Sequence, residues 1–238
     1  MPYIQKILEA TKKKYGNPVC VDIGANLGLF SYLMSCQSSR VIAIEPQPKL
    51  ASYLKAVLPK NVVIENLAVS DHDGIAQMRI PKVKGLGGAS AQQDALATIE
   101  ESNPITKQVN LDFIEVPIKT LDQILKDESR VDFIKIDVEG HELSVLNGAN
   151  RTLSEFRPTL MVELFKEHNP NAIECFKTIF NLGYTAFYCN SSGIIECGSI
   201  ESAIVIINNP ALADRVITNF FFVPMEKKEL IFNLFHSS

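Results

Sequence analysis

Apolar runs of strand length alternate with segments of helical period along residues 18–165. The pattern predicts strands at residues 19–23, 40–45 and 61–69, and a helix over residues 27–36. A chain that alternates in this way needs crossover connections, which place helices on both faces of a parallel sheet. The fold class is therefore predicted to be α/β, with a mostly parallel sheet between two layers of helices.

The same signals recur in the second half of the chain. They predict a strand at 131–137, a helix over about 141–153 and a strand at 159–164. After Gly183 the pattern changes to short β runs at 184–189, 203–207 and 219–223, which are typical of hairpin strands at one edge of a sheet.

Two stretches break the alternation. Apolar and polar residues alternate from Gly74 to Ile80, as in a half-exposed antiparallel strand. Residues 82–110 show no strong period, and a loop of this length inside a domain is usually functional or disordered. We expect one domain over residues 1–238, with an N-terminal helix in 1–17 and with 82–110 as a candidate acceptor-binding flap.

The charge balance bears on partners. The 238 residues carry 23 basic and 27 acidic side chains, a net charge of -4, which removes the general attraction that drives binding to nucleic acid. Five dispersed cysteines are typical of reduced thiols, and no apolar stretch reaches membrane-span length. We therefore expect a cytoplasmic protein that binds neither nucleic acid nor membrane. Residues 225–235 are expected to form a helix that packs on the domain or on a second subunit, which leaves homo-oligomerisation open.

A glycine-containing turn follows the first predicted strand. Residues 22–28 read Asp-Ile-Gly-Ala-Asn-Leu-Gly, and glycines at such a position let the backbone approach a ligand. Glu45 follows Gly24 by 21 positions, at the end of the second strand, where a carboxylate can accept hydrogen bonds from both ribose hydroxyls. Together these features predict a nucleoside-binding site.

The spacing of the glycines distinguishes between nucleoside cofactors. A dinucleotide turn needs G-x-G-x-x-G, but the second and third glycine positions counted from Gly24 hold Asn26 and Leu29. A pyrophosphate would be crowded there. The carboxylate of Asp22 favours a cofactor that carries positive charge, and S-adenosylmethionine has a sulfonium, an ammonium group and no phosphate.

A second constellation follows the predicted strand at 131–137. Asp137, Glu139, His141 and Glu142 place four titratable groups within six residues. In an open parallel sheet this segment should face the Gly24 turn across the ligand crevice. For Glu142, a helix N-terminus that favours acidic side chains explains the residue equally well.

The motifs taken together resemble the FkbM family of S-adenosylmethionine-dependent methyltransferases over about residues 18–224. The resemblance is carried by D-x-G-A-N-x-G, Glu45-Pro46, the Asn66-to-Asp71 segment followed by Gly74, Gly88-Ala89-Ser90, Leu121-Asp122, K-x-D-x-E-G-x-E from Lys135 to Glu142, and Glu163. It implies the Rossmann-like class I methyltransferase fold, a seven-stranded, mostly parallel sheet that ends in an antiparallel hairpin. It also implies O-methylation of a hydroxyl on a small molecule or sugar.

The resemblance further implies roles for individual residues. Asp137 would lie beside the transferred methyl group. The cofactor-binding residues would be Asp22, Gly24, Asn26 and Gly28 for the methionine part, Glu45 for the ribose, and Asn66, Leu67 and Ala68 for the adenine. Ala25, Pro46 and Asp137 would also bind the cofactor.

Methylation of a hydroxyl also requires a group that takes its proton. Full ionisation at pH 7 of a hydroxyl with a pKa near that of water, ~15.7, would cost roughly 12 kcal/mol. Asp137, Glu139 and His141 are the candidate catalytic bases. A divalent ion held by Asp137 and Glu163 would be another solution, but two carboxylates without a ligand motif are weak support, and no metal ligand is assigned.

Two other functions stay open on the sequence. A nucleotide-dependent oxidoreductase of Rossmann type is disfavoured by Asn26 at a position that needs glycine. A non-catalytic protein that binds an adenosyl ligand is disfavoured, weakly, by the presence of the cluster Asp137, Glu139 and His141.

Overall fold

The computed structural model describes residues 2–82, 97–101, 103, 110–167, 169–190, 193–208 and 219–236. The strands of these residues are β1 (Val19–Ile23), β2 (Arg40–Ile44), β3 (Val62–Glu65), β4 (Ala68–Val69), β5 (Gly74–Lys82), β6 (Asn110–Lys119), β7 (Phe133–Ile136), β8 (Thr159–Glu163), β9 (Tyr184–Asn190), β10 (Gly193–Cys197) and β11 (Asn219–Pro224). The α-helices are α1 (Pro2–Tyr15), α2 (Leu29–Ser35), α3 (Pro48–Val57), α4 (Leu121–Ile124), α5 (Glu142–Asn147), α6 (Ala172–Asn181), α7 (Ile200–Asn208) and α8 (Lys228–His236). A π-helix at Thr152–Phe156 and a 3₁₀ turn at Met225–Lys227 complete the set.

The main sheet has the strand order β10-β9-β11-β8-β7-β1-β2-β3. Neighbouring strands from β8 through β3 pair in parallel, whereas β11 pairs antiparallel with both β8 and β9, and β9 with β10. Strand β1 has β2 on one side and β7 on the other, so the chain reverses direction across the sheet at β1. In such a sheet, ligands bind in the crevice at the carboxyl ends of the strands on either side of this point.

This architecture confirms the predicted α/β fold with its mostly parallel sheet. The strand count differs, because β10 forms a hairpin with β9 and adds an eighth strand at the edge. Strand β11 lies between β8 and β9, so the antiparallel strands form a three-stranded margin rather than a lone hairpin.

The strand predicted at 61–69 is divided between two sheets. Residues Val62–Glu65 extend the main sheet, whereas Ala68–Val69 joins a second sheet of order β4-β6-β5. Asn66 separates the two parts because its side-chain amide donates to the backbone carbonyls of Glu45 and Pro46, at 2.9 Å each. The alternation at residues 74–80 predicts β5, and its antiparallel partner β6 is a strand that the sequence pattern did not indicate.

The strand predicted at 203–207 is wrong, because these residues belong to the helix Ile200–Asn208. β-branched residues favour a strand locally, but the tertiary contacts follow a helical period. Ala203 is buried in the core, and Ile200, Ile206 and Ile207 pack against the same cluster. Ser199 stabilises the start of the helix by accepting a hydrogen bond from the backbone N–H of Ser202.

The helix predicted over about 141–153 is interrupted at Gly148. α5 ends at Asn147, and the chain continues into the π-helix Thr152–Phe156. Gly148 lies against the backbone of Ser70, where a Cβ would come within 2.1 Å of the carbonyl oxygen. This close contact joins the helix after β7 to the end of β4.

The structure also bears on the expected lack of a membrane-spanning segment and on the state of the cysteines. Within the part of the chain that the structure describes, no helix is both long and apolar enough to cross a bilayer. All five cysteines are free thiols.

Candidate active site

An open cavity of about 740 Å³ lies at the carboxyl ends of β1, β2 and β7. This is the place where the reversal of strand order predicts a ligand site. The walls come from the Gly24 turn, the end of β2, the segments at 67–69 and 97–99, and the turn after β7.

The Gly24 turn approaches the end of β7 so closely that only glycine fits. Gly24 has a φ of 78°, and a Cβ at this position would lie 1.9 Å from the carbonyl oxygen of Asp137. Asn26 also has a left-handed φ of 51°, which asparagine tolerates better than most residues. The tight approach forms one corner of the cavity.

The backbone N–H groups of this turn are used within the protein. Those of Gly24 and Ala25 both donate to the carbonyl of Ile44 at 3.0 Å, and that of Asn26 donates to Glu45 Oε2 at 2.8 Å. In a dinucleotide-binding protein the corresponding groups face a pyrophosphate. These three donors are therefore committed to internal bonds.

Glu45 is nearly fully buried at the end of β2, with its carboxylate fixed by backbone groups. In addition to the bond from Asn26, its Oε1 accepts a hydrogen bond from the N–H of Gln47 at 2.9 Å. Its own carbonyl accepts from the Asn66 amide. The carboxylate is thus preorganised at the cavity wall.

Asp22 lies beneath the cavity rather than in its wall. Its Oδ2 accepts a hydrogen bond from Ser31 Oγ at 2.6 Å, and its Oδ1 lies 3.7 Å from Lys135 Nζ. Burial raises the pKa of Asp22, and this effect outweighs the opposing influence of Lys135 and Ser31.

Lys135 is a buried cation between two carboxylates. Its Nζ donates to Asp137 Oδ2 at 2.9 Å and lies 4.6 Å from the ring centroid of Phe30. Burial on its own lowers the pKa of this ammonium, but Asp137, Asp22 and Glu163 together outweigh it and raise the pKa above its ordinary value. Lys135 therefore remains charged and fixes the orientation of Asp137.

His141 uses both of its ring nitrogens. Nδ1 lies 3.0 Å from Glu100 Oε2, and Nε2 lies 3.0 Å from Ser70 Oγ. Asn103 Nδ2 donates to the carbonyl of Glu139 at 2.7 Å. His141 therefore connects the segment around Glu100 to the turn after β7, and it would have to release one of these partners to act as a base.

Three carboxylates converge in the part of the cavity wall formed by the turn after β7 and the end of β8. Asp137, Glu139 and Glu163 each offer an oxygen, and these oxygens lie within 4.8 Å of one another. A smaller cavity of about 190 Å³ adjoins them and is also lined by Phe165 and Asn169. Carboxylate oxygens are suitable ligands for Mg²⁺, so these three residues could hold a divalent ion.

Most of the predicted site residues share the main cavity. Its walls include Gly24, Asn26, Glu45, Pro46, Leu67, Ala68, Asp137, Glu139 and His141. The other predicted residues do not line it, since Asp22 and Ala25 are buried, Gly28 faces Leu54, and Asn66 shapes the wall through its amide.

Other lining residues were not singled out from the sequence. Gln47, Met78, Ala97, Thr98, Ile99 and Val138 belong to this set. The sequence indicates Gln47 only through its position directly after the Glu45-Pro46 pair. Ala97 to Ile99 lie inside the predicted flap at 82–110. Residues 83–96, 102 and 104–109 of that flap, including the Gly88-Ala89-Ser90 cluster, lie outside the described residues.

Fold and site together define an α/β protein with an open cavity where its parallel sheet reverses strand order, the place where sheets of this kind bind ligands. Residues 22–186 match the methyltransferase FkbM domain, and the chain belongs to the FkbM methyltransferase family.

Two curated relatives carry methyltransferase names. "Methyltransferase sdnD" of Sordaria araneosa is 25% identical over 194 residues, which cover 63% of this chain and 67% of the relative. "Methyltransferase 1" of Beauveria bassiana (strain ARSEF 2860) is 26% identical over 161 residues, covering 60% of this chain and 63% of the relative.

A solved structure shows the same fold. The methyltransferase FkbM from Methylobacillus flagellatus KT aligns with a TM-score of 0.52 at 17% identity. The alignment covers 90% of this chain but 47% of the solved one, so the chain spans about half the length of that protein.

Proposed function

We propose that this chain transfers a methyl group from S-adenosylmethionine to a hydroxyl of a small molecule or sugar. The observation that carries the proposal is the internal use of the N–H groups of Gly24, Ala25 and Asn26. A pyrophosphate would find these three donors occupied. None of the described residues that line the cavity is a lysine or an arginine, whereas Glu45 and three further carboxylates do line it.

This lining favours a cationic cofactor over a doubly phosphorylated one. S-adenosylmethionine carries a sulfonium and an ammonium group and lacks phosphate, so the acidic cavity suits it electrostatically. Asn26 provides a further observation, because its buried Oδ1 accepts no hydrogen bond from the described residues. A ligand that brings a donor, such as an ammonium group, would satisfy that oxygen.

The residues that would hold the cofactor follow from the walls of the cavity. In this proposal Glu45 accepts from the ribose hydroxyls, Gly24 and Asn26 contact the methionine part, and Leu67 with Ala68 contacts the adenine. The carboxylate of Glu45 needs no reorientation, since Asn26 and Gln47 already fix it.

When bound, the cofactor would supply a methyl group on its sulfonium sulfur, which an acceptor oxygen can attack in line while the S–C bond breaks and S-adenosylhomocysteine leaves. As the new O–C bond forms, the acceptor hydroxyl loses its proton to a base of the protein. The carboxylates of Asp137 and Glu139 are the better candidates, because His141 already uses both ring nitrogens. Lys135 holds Asp137 in a fixed position, and positioning of this kind contributes much of the catalysis of a displacement.

Release of S-adenosylhomocysteine from S-adenosylmethionine, measured with a panel of hydroxylated metabolites, tests the proposal. We expect at least one acceptor to give turnover, and Asp137→Asn to lower its rate by about 10²–10⁴, the usual contribution of a positioned acid or base. Asp127→Asn, on an exposed loop, is the matched control. Parallel assays with Mg²⁺ and with a chelator decide whether the carboxylate cluster needs a metal.

The alternatives give different results. Binding of S-adenosylhomocysteine without turnover of any acceptor would favour a non-catalytic ligand-binding protein. Binding of a nicotinamide dinucleotide in place of S-adenosylhomocysteine would favour an oxidoreductase.

A further inference from the structure

The turn after β7 has a backbone conformation that must be held in place. Glu139 has a left-handed φ of 52° and Gly140 a φ of 99°. For a residue with a side chain, the left-handed region is strained and persists only where surrounding contacts enforce it. Glu139 lies in the cavity wall beside Asp137, so whatever holds the turn also sets the shape of the acidic cluster.

Glu142 binds the backbone of this turn from the buried side. Its Oε1 accepts hydrogen bonds from the N–H groups of Val138 and Gly140, both at 3.2 Å. These are the residues on either side of Glu139. The residue is 2% exposed, so its carboxylate contacts the protein interior and not solvent.

Asn169 continues the connection to the neighbouring strand. Its Nδ2 donates to Glu142 Oε2 at 2.5 Å, and its Oδ1 accepts from the N–H of Asn171 at 2.8 Å. Asn169 follows β8, the strand that ends at Glu163. The pair therefore connects the turn that bears Asp137 and Glu139 to the segment that follows Glu163.

We propose that Glu142 and Asn169 are a positioning pair that holds Asp137, Glu139 and Glu163 in one arrangement at the candidate active site. In this proposal the pair acts through the turn and through the segment after β8, and both residues also line the smaller cavity beside the three carboxylates. The effect of the pair on ligand binding rests on the proposed function, whereas its effect on the backbone of the turn does not.

The proposal can be tested by exchanging the hydrogen-bond donor and acceptor between positions 142 and 169. In Glu142→Gln the side-chain oxygen can still accept from Val138 and Gly140, but the new amide nitrogen faces the Asn169 amide, donor against donor. In Asn169→Asp the amide donor is lost and a second carboxyl group faces that of Glu142. The double variant Glu142→Gln/Asn169→Asp restores the bond between the two side chains with the same net charge, because the carboxylate at 169 accepts from both the new amide and the N–H of Asn171. Only the long contact of the Asn169 amide with Cys175 Sγ, at 4.0 Å, loses its donor.

The first measurement is amide hydrogen exchange, which requires no ligand. We expect each single variant to exchange the amides of Val138 and Gly140 about tenfold faster, and the double variant to return to within about threefold of wild type. Glu174→Gln, an exposed glutamate on α6 paired with Lys177, is the control and should change neither amide. Effects of the two single variants that simply add in the double variant would overturn the proposal.

The second measurement is the affinity for S-adenosylhomocysteine in the same four proteins. Each single variant should weaken binding about tenfold, and the double variant should recover it. If wild type does not bind the probe, the proposed function is wrong, and the exchange measurement still decides on the positioning pair. If wild type and all variants bind equally well, the pair does not position the site.

A further variant covers the case in which a single variant does not fold. Asn169→Ala deletes the Nδ2 donor together with the Oδ1 that accepts from Asn171, and it leaves the carboxylate of Glu142 in place. Faster exchange at Val138 and Gly140 is the expected result, and unchanged exchange would overturn the proposal.

Discussion

The ammonium of Lys135 lies 2.9 Å from the carboxylate of Asp137, and only 4% of the Lys135 side chain is exposed. The lysine is on the strand and the aspartate directly after it, so a buried cation within the sheet supports an acid that lines the cavity. The same ammonium faces the buried carboxylate of Asp22. One lysine therefore balances charge on both strands at the point where the sheet reverses order.

Lys135→Met is expected to lower the free energy of unfolding by about 3–5 kcal/mol, because loss of one partner leaves a buried charge uncompensated. Urea denaturation measures this loss. Adding Asp22→Asn should recover a large part of it, since the amide oxygen still accepts from Ser31 and the orphaned charge is gone. Equal losses in the single and the double variant would show that Lys135 does not act through Asp22.

Gly24→Ala should lower the free energy of unfolding more than an alanine substitution at another glycine of similar conformation. Gly16 has a φ of 86°, and its nearest contact for a Cβ is Arg130 at 3.8 Å, so Gly16→Ala measures the backbone cost alone. At Gly24 the clash with the Asp137 carbonyl should add about 1–3 kcal/mol of destabilisation, as for an overpacked interior. Denaturation of both variants checks this, and equal destabilisation would argue against a required close approach.

Glu45→Gln is expected to weaken binding of S-adenosylhomocysteine about 10–100-fold. A hydrogen bond to a charged group contributes about 1.5–3 kcal/mol, and each 1.4 kcal/mol is a factor of ten in affinity. Calorimetric titration provides the measurement. Glu65→Gln, at the end of the neighbouring strand β3 and not in the cavity wall, is the control. Similar affinities for Glu45→Gln and wild type would remove Glu45 from the ribose site.

Glu142 predicts a specific dependence of stability on pH. Burial raises its pKa from 4.5 to about 7, with a smaller contribution from Asp137, while three backbone N–H groups oppose the rise. Between pH 4.5 and about pH 7, Glu142 therefore stays protonated in the folded chain but is ionised in the unfolded chain. The free energy of unfolding consequently falls as the pH rises through this range. The neighbouring Cys175 stays uncharged there, because burial raises its pKa as well.

The size of the effect follows from the shift. A difference of this size corresponds to about 3 kcal/mol, at 1.36 kcal/mol for each pKa unit. Between about pH 5 and pH 8, wild type should lose about that much stability relative to Glu142→Gln, measured by urea denaturation at several pH values. A constant difference between the two proteins over this range would contradict the prediction.

The sequence predicted the parallel part of the sheet well, because buried strands such as β1 and β2 are continuous apolar runs with a recognisable period. It also located the Gly24 turn and Glu45, since the turn and the strand end are set by local spacing. Isoleucine-rich residues 203–207 were wrongly assigned as a strand, because the contacts of Ala203 with the core, and not local preference, decide the helix.

The parts of the site that were missed depend on contacts between distant segments. No local pattern shows that Lys135 neutralises Asp22, or that His141 joins Glu100 to Ser70. Asp22, a predicted cofactor residue, lies under the cavity rather than in its wall, because the register of β1 sets it beside Lys135 on β7. Such pairings are set by the topology of the sheet and become visible only in three dimensions.

Calorimetric titration of the wild-type chain with S-adenosylhomocysteine and, separately, with NAD⁺ tests the central claim most directly. The account predicts saturable binding of one molecule of S-adenosylhomocysteine per chain, weakened by Glu45→Gln, and no binding of the dinucleotide at the same concentrations. Binding of NAD⁺ without binding of S-adenosylhomocysteine would contradict it.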